Sequence, residues 1–219
     1  MTMQDRLEHH GEFALRPVRT LAVVGAGTMG TGISITALDV GLEVTLLEQA
    51  AAALQRGATR IREHYARRVA AGKVSAGAAA ACESQLHATT DWNALAQIDL
   101  VVEAVFEDMA VKREVFARLD RIARPGTILA TNTSYLDVDA IAGTTSRPRD
   151  VVGLHFFSPA NVMRLVEVVR GAATSPEVQA TAVDVARRQA KPGSQQGRYR
   201  RSCCITSGLT RPVGRQAAK

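Results

Sequence analysis

The chain has 219 residues, 46% of them hydrophobic and 4% aromatic, which is globular composition and not that of a disordered polymer. The net charge is +6, but residues 185–219 hold nine Lys or Arg and no Asp or Glu, so residues 1–184 stand at −3 and the body of the chain does not read as a polyanion binder. No apolar run approaches the roughly 20 residues that cross a bilayer, and the opening stretch lacks the apolar core of a secretory signal; the cytosol is the expected compartment, with no membrane partner.

Residues 1–19 read as a loose N-terminal extension in which His9 and His10 are exposed. Residues 21–24 form a short apolar run, followed by a glycine cluster and a helical pattern. Residues 42–48 carry the β-branched and aliphatic side chains of a second strand. Residues 50–82 are rich in Ala and Arg without Pro and predict one or two long helices, with Cys82 as a small buried hydrophobe. Residues 98–106 predict a strand. Residues 111–123 predict a helix with Val111, Val115, Leu119 and Ile122 on one face. A strand running into a turn follows over 126–134, then a short helix over 137–143 ended by Gly143. Residues 150–157 and 162–169 predict two more strands. Strands alternating with helices indicate an α/β fold with a largely parallel sheet.

From residue 189 neither period persists, and residues 189–219 are expected to be a disordered basic tail. Cys203 and Cys204 are adjacent there, a geometry ill suited to a relaxed disulfide. No metal-ligand spacing occurs, so no metal is expected. The tail offers only Tyr199 for stacking and no recognition motif, so nucleic acid is not expected as a partner.

Gly25, Gly27 and Gly30 make GxGxxG between a strand and a helix. The first glycine permits a tight turn, the second lets backbone approach a pyrophosphate, and the third allows close helix packing. Thr28 and Met29 lie within the loop, where the N–H groups of a helix start meet phosphate. Glu48 ends the second strand, where a carboxylate accepts both ribose hydroxyls of NAD. A 2′-phosphate there would meet a repulsion of about 4 kcal/mol at close contact and intermediate dielectric. Gln49 and Ala50 follow, with no Arg, so NAD is expected over NADP. The competing reading of Glu48 is an exposed strand-end carboxylate.

The stretch VVGLHFFSPANVMRLVEVV, residues 151–169, sets two ionisable groups in an apolar run. A buried carboxylate is costly without a partner, which makes His155 the candidate partner of Glu167. A histidine whose second nitrogen faces a carboxylate is suited to take the proton of a secondary alcohol. A core histidine and an edge-strand carboxylate are the competing readings.

Four separated motifs, VVGAGTMGTGI, VEAVFEDMAVK, ATNTS and GLHFFSPANVMRLVEVV, give the chain a resemblance to the L-3-hydroxyacyl-CoA dehydrogenases, and among them to the bacterial 3-hydroxybutyryl-CoA enzymes. The resemblance runs from residue 20 to about residue 188 and covers that family's NAD-binding domain. It implies a Rossmann-type, doubly wound sheet with a helical hairpin insertion, supplied by residues 50–82. It implies hydride transfer between NAD and the 3-position of an acyl-CoA. His155 matches the family's base, Glu167 its partner, and Ser134 the serine at the substrate oxygen. Glu107, Lys112 and Asn132 match residues lining the nicotinamide and ribose side of the NAD site.

Plainer readings compete: Ser134 as a helix cap with Asp137 three residues on, Asn132 as a turn former, Glu107 and Lys112 as a solvated first helical turn. Ser158 stands where the family usually has a substrate-positioning Asn. Beyond Lys191 the family's next strand and its helical, dimer-forming domain are not recognisable, and the change resembles a frameshift or truncated copy. The expectation is therefore either NAD-dependent oxidation of a 3-hydroxyacyl-CoA, or a domain that binds NAD and turns over little.

Overall fold

The computed structural model describes residues 14–163, 165–190 and 199–202. Short aliphatic runs build one sheet in the order β3-β2-β1-β4-β5-β6-β7-β8. The strands are β1 (Thr20–Val24), β2 (Glu43–Leu47), β3 (Leu86–Thr89), β4 (Leu100–Glu103), β5 (Ile128–Thr131), β6 (Val151–Phe156), β7 (Val166–Val169) and β8 (Tyr199–Ser202). All pairings are parallel except β6 with β7. Leu21, Ala22 and Val23 of β1 have no exposed surface, as expected of a parallel strand covered on both faces. Helices α1 (Thr28–Leu38), α2 (Ala51–Ala70), α3 (Ala76–Ser84), α6 (Ala160–Met163) and α7 (Pro176–Ala190) contribute to one apolar layer. The other layer is built with α4 (Met109–Ile122) and α5 (Val138–Ala142).

The hairpin over residues 50–82 is two helices. Gly72 takes φ +65° between them, and Ser75 caps α3 by accepting from Ala78 N at 3.1 Å. Tyr65 and Arg68 fasten α2 to Asp39 at the end of α1, at 3.2 and 2.8 Å. Cys82 is half-buried, its thiol facing Leu38 O at 3.7 Å. Asp108 caps α4. On that helix Val115, Phe116 and Leu119 are buried while Val111 stays exposed.

Several segments depart from the sequence reading. Within the extension expected to be loose, Arg16 pairs with Asp150 and Glu177 and Val18 is buried. The strand expected over 98–106 stops at Glu103, because the Glu103 carboxylate accepts from Val105 N at 2.8 Å and turns the chain. The strand expected from residue 162 begins at Val166; Val162 N and Met163 N both donate back to Pro159 O at 2.9 Å, which winds one helical turn. Met163 therefore does not share a strand face with Glu167. Strand β3 and helix α7 add two elements to those the sequence predicts. On α7, Val178, Ala182, Val185 and Ala186 are buried at helical spacing, so the regular fold runs to Ala190. Of the basic tail only the backbone of β8 is described, paired with β7. His9, His10, Cys203 and Cys204 lie outside the described residues.

The glycine turn is set by contacts within the protein. Gly25 has φ +107°, and a Cβ there would lie 2.7 Å from Ala104 O. A Cβ on Gly30 would fall 1.8 Å from Gly25 O, a contact that only a shift of α1 away from the sheet relieves. Gly30→Ala is expected to destabilise the chain by about 3 kcal/mol, as overpacking against backbone does. Urea unfolding checks this; an unchanged midpoint would show that α1 moves freely.

Candidate active site

The chemistry gathers at the carboxyl ends of the parallel strands, where open α/β sheets receive ligands. A cleft of about 780 Å³ opens there. Its floor is the turn from Gly25 to Met29; Leu47, Glu48, Val105, Phe106 and Trp92 are among its walls. Helix α1 starts at Gly27 with no side-chain cap, so its first N–H groups face the cleft as an anion seat. A Cβ on Gly27 would meet no atom within 4 Å. Nothing among the described residues calls for glycine at that position, whereas a pyrophosphate across the turn would. Glu48 accepts from Ala26 N and Ala50 N, each at 3.2 Å, which fixes its carboxylate at the cleft mouth. These residues fit a dinucleotide. Arg56 and Arg60 of α2 also line the cleft, as does Trp92, whose ring carries the Arg118 guanidinium at 4.2 Å; no sequence motif marks any of the three.

Beside the cleft lies a buried polar chain. Glu103 has no exposed surface and accepts from Val105 N at 2.8 Å, Thr131 Oγ1 at 2.7 Å and Lys112 Nζ at 2.7 Å. Lys112, equally buried, lies 3.2 Å from Glu107 Oε2. So Lys112 occupies no solvated first turn; its ammonium is enclosed by two carboxylates. Glu107 in turn accepts from Thr133 Oγ1 and from Ser134 N, the latter at 2.7 Å, and so pins the turn after β5. Burial pushes the Glu107 carboxyl up, but the bonds from Thr133 and Ser134 and the Lys112 ammonium outweigh it and hold it below its ordinary value.

Ser134 Oγ lies 3.2 Å from His155 Nε2, and His155 Nδ1 lies 3.1 Å from Glu167 Oε2. His155 and Glu167 are direct cross-strand partners in the antiparallel pair of β6 and β7, so the register itself brings them together. The capping reading of Ser134 fails: α5 is capped by Asp137, which accepts from Asp139 N at 2.9 Å. Asn132 brackets two strand ends, its N donating to Glu103 O and its Oδ1 accepting from Phe156 N, both at 2.8 Å. Ser158 is exposed on the turn that leaves β6.

Among the described residues no cluster of metal-ligating side chains occurs and no helix is long and apolar enough to cross a membrane. A glycine turn under an uncapped helix, an acidic strand end and a doubly wound sheet define a dinucleotide-binding α/β domain. A family profile described as "3-hydroxyacyl-CoA dehydrogenase, NAD binding domain" matches residues 20–193, and the chain belongs to that family, whose cofactor is NAD.

The peroxisomal bifunctional enzyme of Danio rerio is 43% identical over 176 residues, covering 80% of this chain and 24% of that protein. The 3-hydroxybutyryl-CoA dehydrogenase of Mycobacterium tuberculosis is 45% identical over 154 residues, covering 70% of this chain and 54% of that protein. The crystal structure of 3-hydroxybutyryl-CoA dehydrogenase from Escherichia coli K12 superposes with a TM-score of 0.78 at 42% identity, over 80% of this chain and 37% of that one. The chain thus spans less than two thirds of the length of these relatives.

Because the folded value of Glu107 is depressed, its interactions add stability that is fully present above its ordinary value near 4.5 and lost as pH falls through the folded value. Glu107→Gln is expected to cost stability at pH about 7 and progressively less toward pH about 3. Urea unfolding at both pH values checks it; an equal cost at both would remove the ionised carboxylate from the account.

Proposed function

We propose that this chain carries the NAD-dependent oxidation of the 3-hydroxyl of an L-3-hydroxyacyl-CoA to the 3-oxo compound, with His155 as the base. The supporting observation is the continuous set Ser134, His155, Glu167 at 3.2 and 3.1 Å. With Nδ1–H donating to Glu167, the Nε2 lone pair is the basic site and the imidazolium formed is stabilised. His155 Nε2 takes the hydroxyl proton, and Ser134 Oγ holds the same oxygen through charge development. NAD, when bound, accepts the hydride leaving C3.

The Gly25–Gly30 turn, with Thr28 and Met29, seats the pyrophosphate, and Glu48 takes the adenosine ribose. Glu107, backed by Lys112, and Asn132 shape the nicotinamide side. Ser158 faces the substrate. The acyl-CoA class follows from the relatives' names. Dimerisation through a further helical domain, and a cytoplasmic setting, belong to the same reading; neither membrane nor nucleic acid enters it.

One observation favours a second reading, binding with little turnover. Phe106 is 86% exposed, Tyr135 76%, Val162 65% and Met163 51%, so the rim of the site stands open to water. Hydride transfer between enclosed reactants needs that water excluded. The two readings separate on NADH formation from 3-hydroxybutyryl-CoA. Turnover at roughly 1 s⁻¹ or above, within the ordinary enzymatic range, favours the first; cofactor binding with only trace NADH favours the second. In single turnover His155→Gln is expected to lower the rate by at least about a hundredfold, the contribution of a general base. NAD affinity should stay within about twofold. A parallel collapse of NAD binding would make His155 structural.

A further inference from the structure

Glu103 lies outside the wall of the cleft, yet its side chain is 0% exposed and its partner Lys112 1%, while Glu107 keeps 25%. Glu103 accepts three hydrogen bonds, from Val105 N, Thr131 Oγ1 and Lys112 Nζ, the pattern of an ionised carboxylate. Lys112 cancels one of the two carboxylates that it touches. The set of three therefore carries a surplus of one negative charge, enclosed at Glu103 and Lys112 and partly open to water at Glu107.

That surplus stands beside the place where the cofactor's own charge changes. Hydride transfer moves the electron pair of the C3–H bond onto the nicotinamide ring, while the hydroxyl proton goes to His155. The ring passes from a cation in NAD⁺ to a neutral group in NADH. For the transfer to occur the ring must lie against the carbon whose oxygen His155 Nε2 addresses. Ser134 links that point to the charge set: its Oγ is 3.2 Å from Nε2 and its N is 2.7 Å from Glu107 Oε1. A fixed negative charge there attracts the oxidised ring and is nearly indifferent to the reduced one.

We propose that Glu103, Lys112 and Glu107 form a selector for the redox state of the cofactor: their surplus charge favours NAD⁺ over NADH, and Glu103, without touching a ligand, sets that surplus by cancelling Lys112. The proposal rests on the placement of the nicotinamide given above and goes beyond it by naming what separates the incoming cofactor from the product. Glu167 adds a further negative charge near His155, but it stays constant across the variants that test the selector.

The test measures dissociation constants of NAD⁺ and NADH separately, by calorimetry on the full chain, for the wild type, Glu103→Gln and Glu107→Gln. Either variant removes the surplus while keeping a hydrogen-bond acceptor of the same shape. The ratio Kd(NADH)/Kd(NAD⁺) is expected to fall about tenfold in each, the order of magnitude for removing one partly screened unit charge near the ring. A purely structural role would weaken both nucleotides alike and leave the ratio fixed.

Glu107→Gln leaves the Glu103–Lys112 pair intact, so it decides the matter even if Glu103→Gln fails to fold. An unchanged or increased ratio in Glu107→Gln overturns the selector, and so does a wild type that binds neither nucleotide. A shifted ratio in a chain that forms no NADH supports the selector while refuting turnover, which keeps the two readings apart.

Discussion

Two carboxylates sharing one buried ammonium constrain this molecule more than any other contact. Lys112 cannot leave Glu103 and Glu107 without stranding charge in a low dielectric, a cost of several kcal/mol per ion. Glu103 therefore ends β4 and turns the chain through Val105 N, and Glu107 draws in Thr133 and Ser134 from the next strand end. The ends of β4 and β5 and the start of α4 become one unit. Asn132 extends that unit to β6 by accepting from Phe156 N. The serine that meets His155 is thus placed by electrostatics that begin at the end of the neighbouring strand.

The second half of the site depends on a reversal of direction. Parallel strands can bring side chains to a common edge, but neighbouring residues are joined pairwise most directly across an antiparallel ladder. Here β7 runs against β6, and His155 falls opposite Glu167. The turn between them is held from below: a Cβ on Gly32 of α1 would lie 3.1 Å from Ala160 Cβ, so the helix supports the turn at backbone distance. Asn161 also meets His64 of α2 at 3.3 Å, which ties the hairpin to the same turn.

Much of this was legible in the sequence because the signals were local. A glycine cluster between a strand and a helix can be read within a dozen residues, and so can a histidine and a glutamate inside an apolar run. Glu103 carries the same mark, a lone acid within LVVEAVF, but its partner sits at a helix start where lysine ordinarily faces water. Only the fold of β4 against α4 reveals that Lys112 is enclosed. Strand β3 was not legible because Leu-His-Ala-Thr has no clean alternation and exists by pairing with β2. Helix α7 buries Thr181 and Gln189 beside its Val and Ala residues, so polar positions interrupt the face that periodicity would mark. The late start of β7 turned on a single carbonyl, that of Pro159, which no periodicity encodes.

The tight seat of Gly30 on Gly25 has a consequence for how affinity is inherited. A loop of this kind is often soft when empty and must be ordered by its guest, which weakens association. Here the packing of α1 on the sheet has already chosen the loop's shape, so the entropic cost of ordering it is borne when the chain folds. Substitutions elsewhere that erode the folding equilibrium should leave the receptor itself intact in every molecule that remains native.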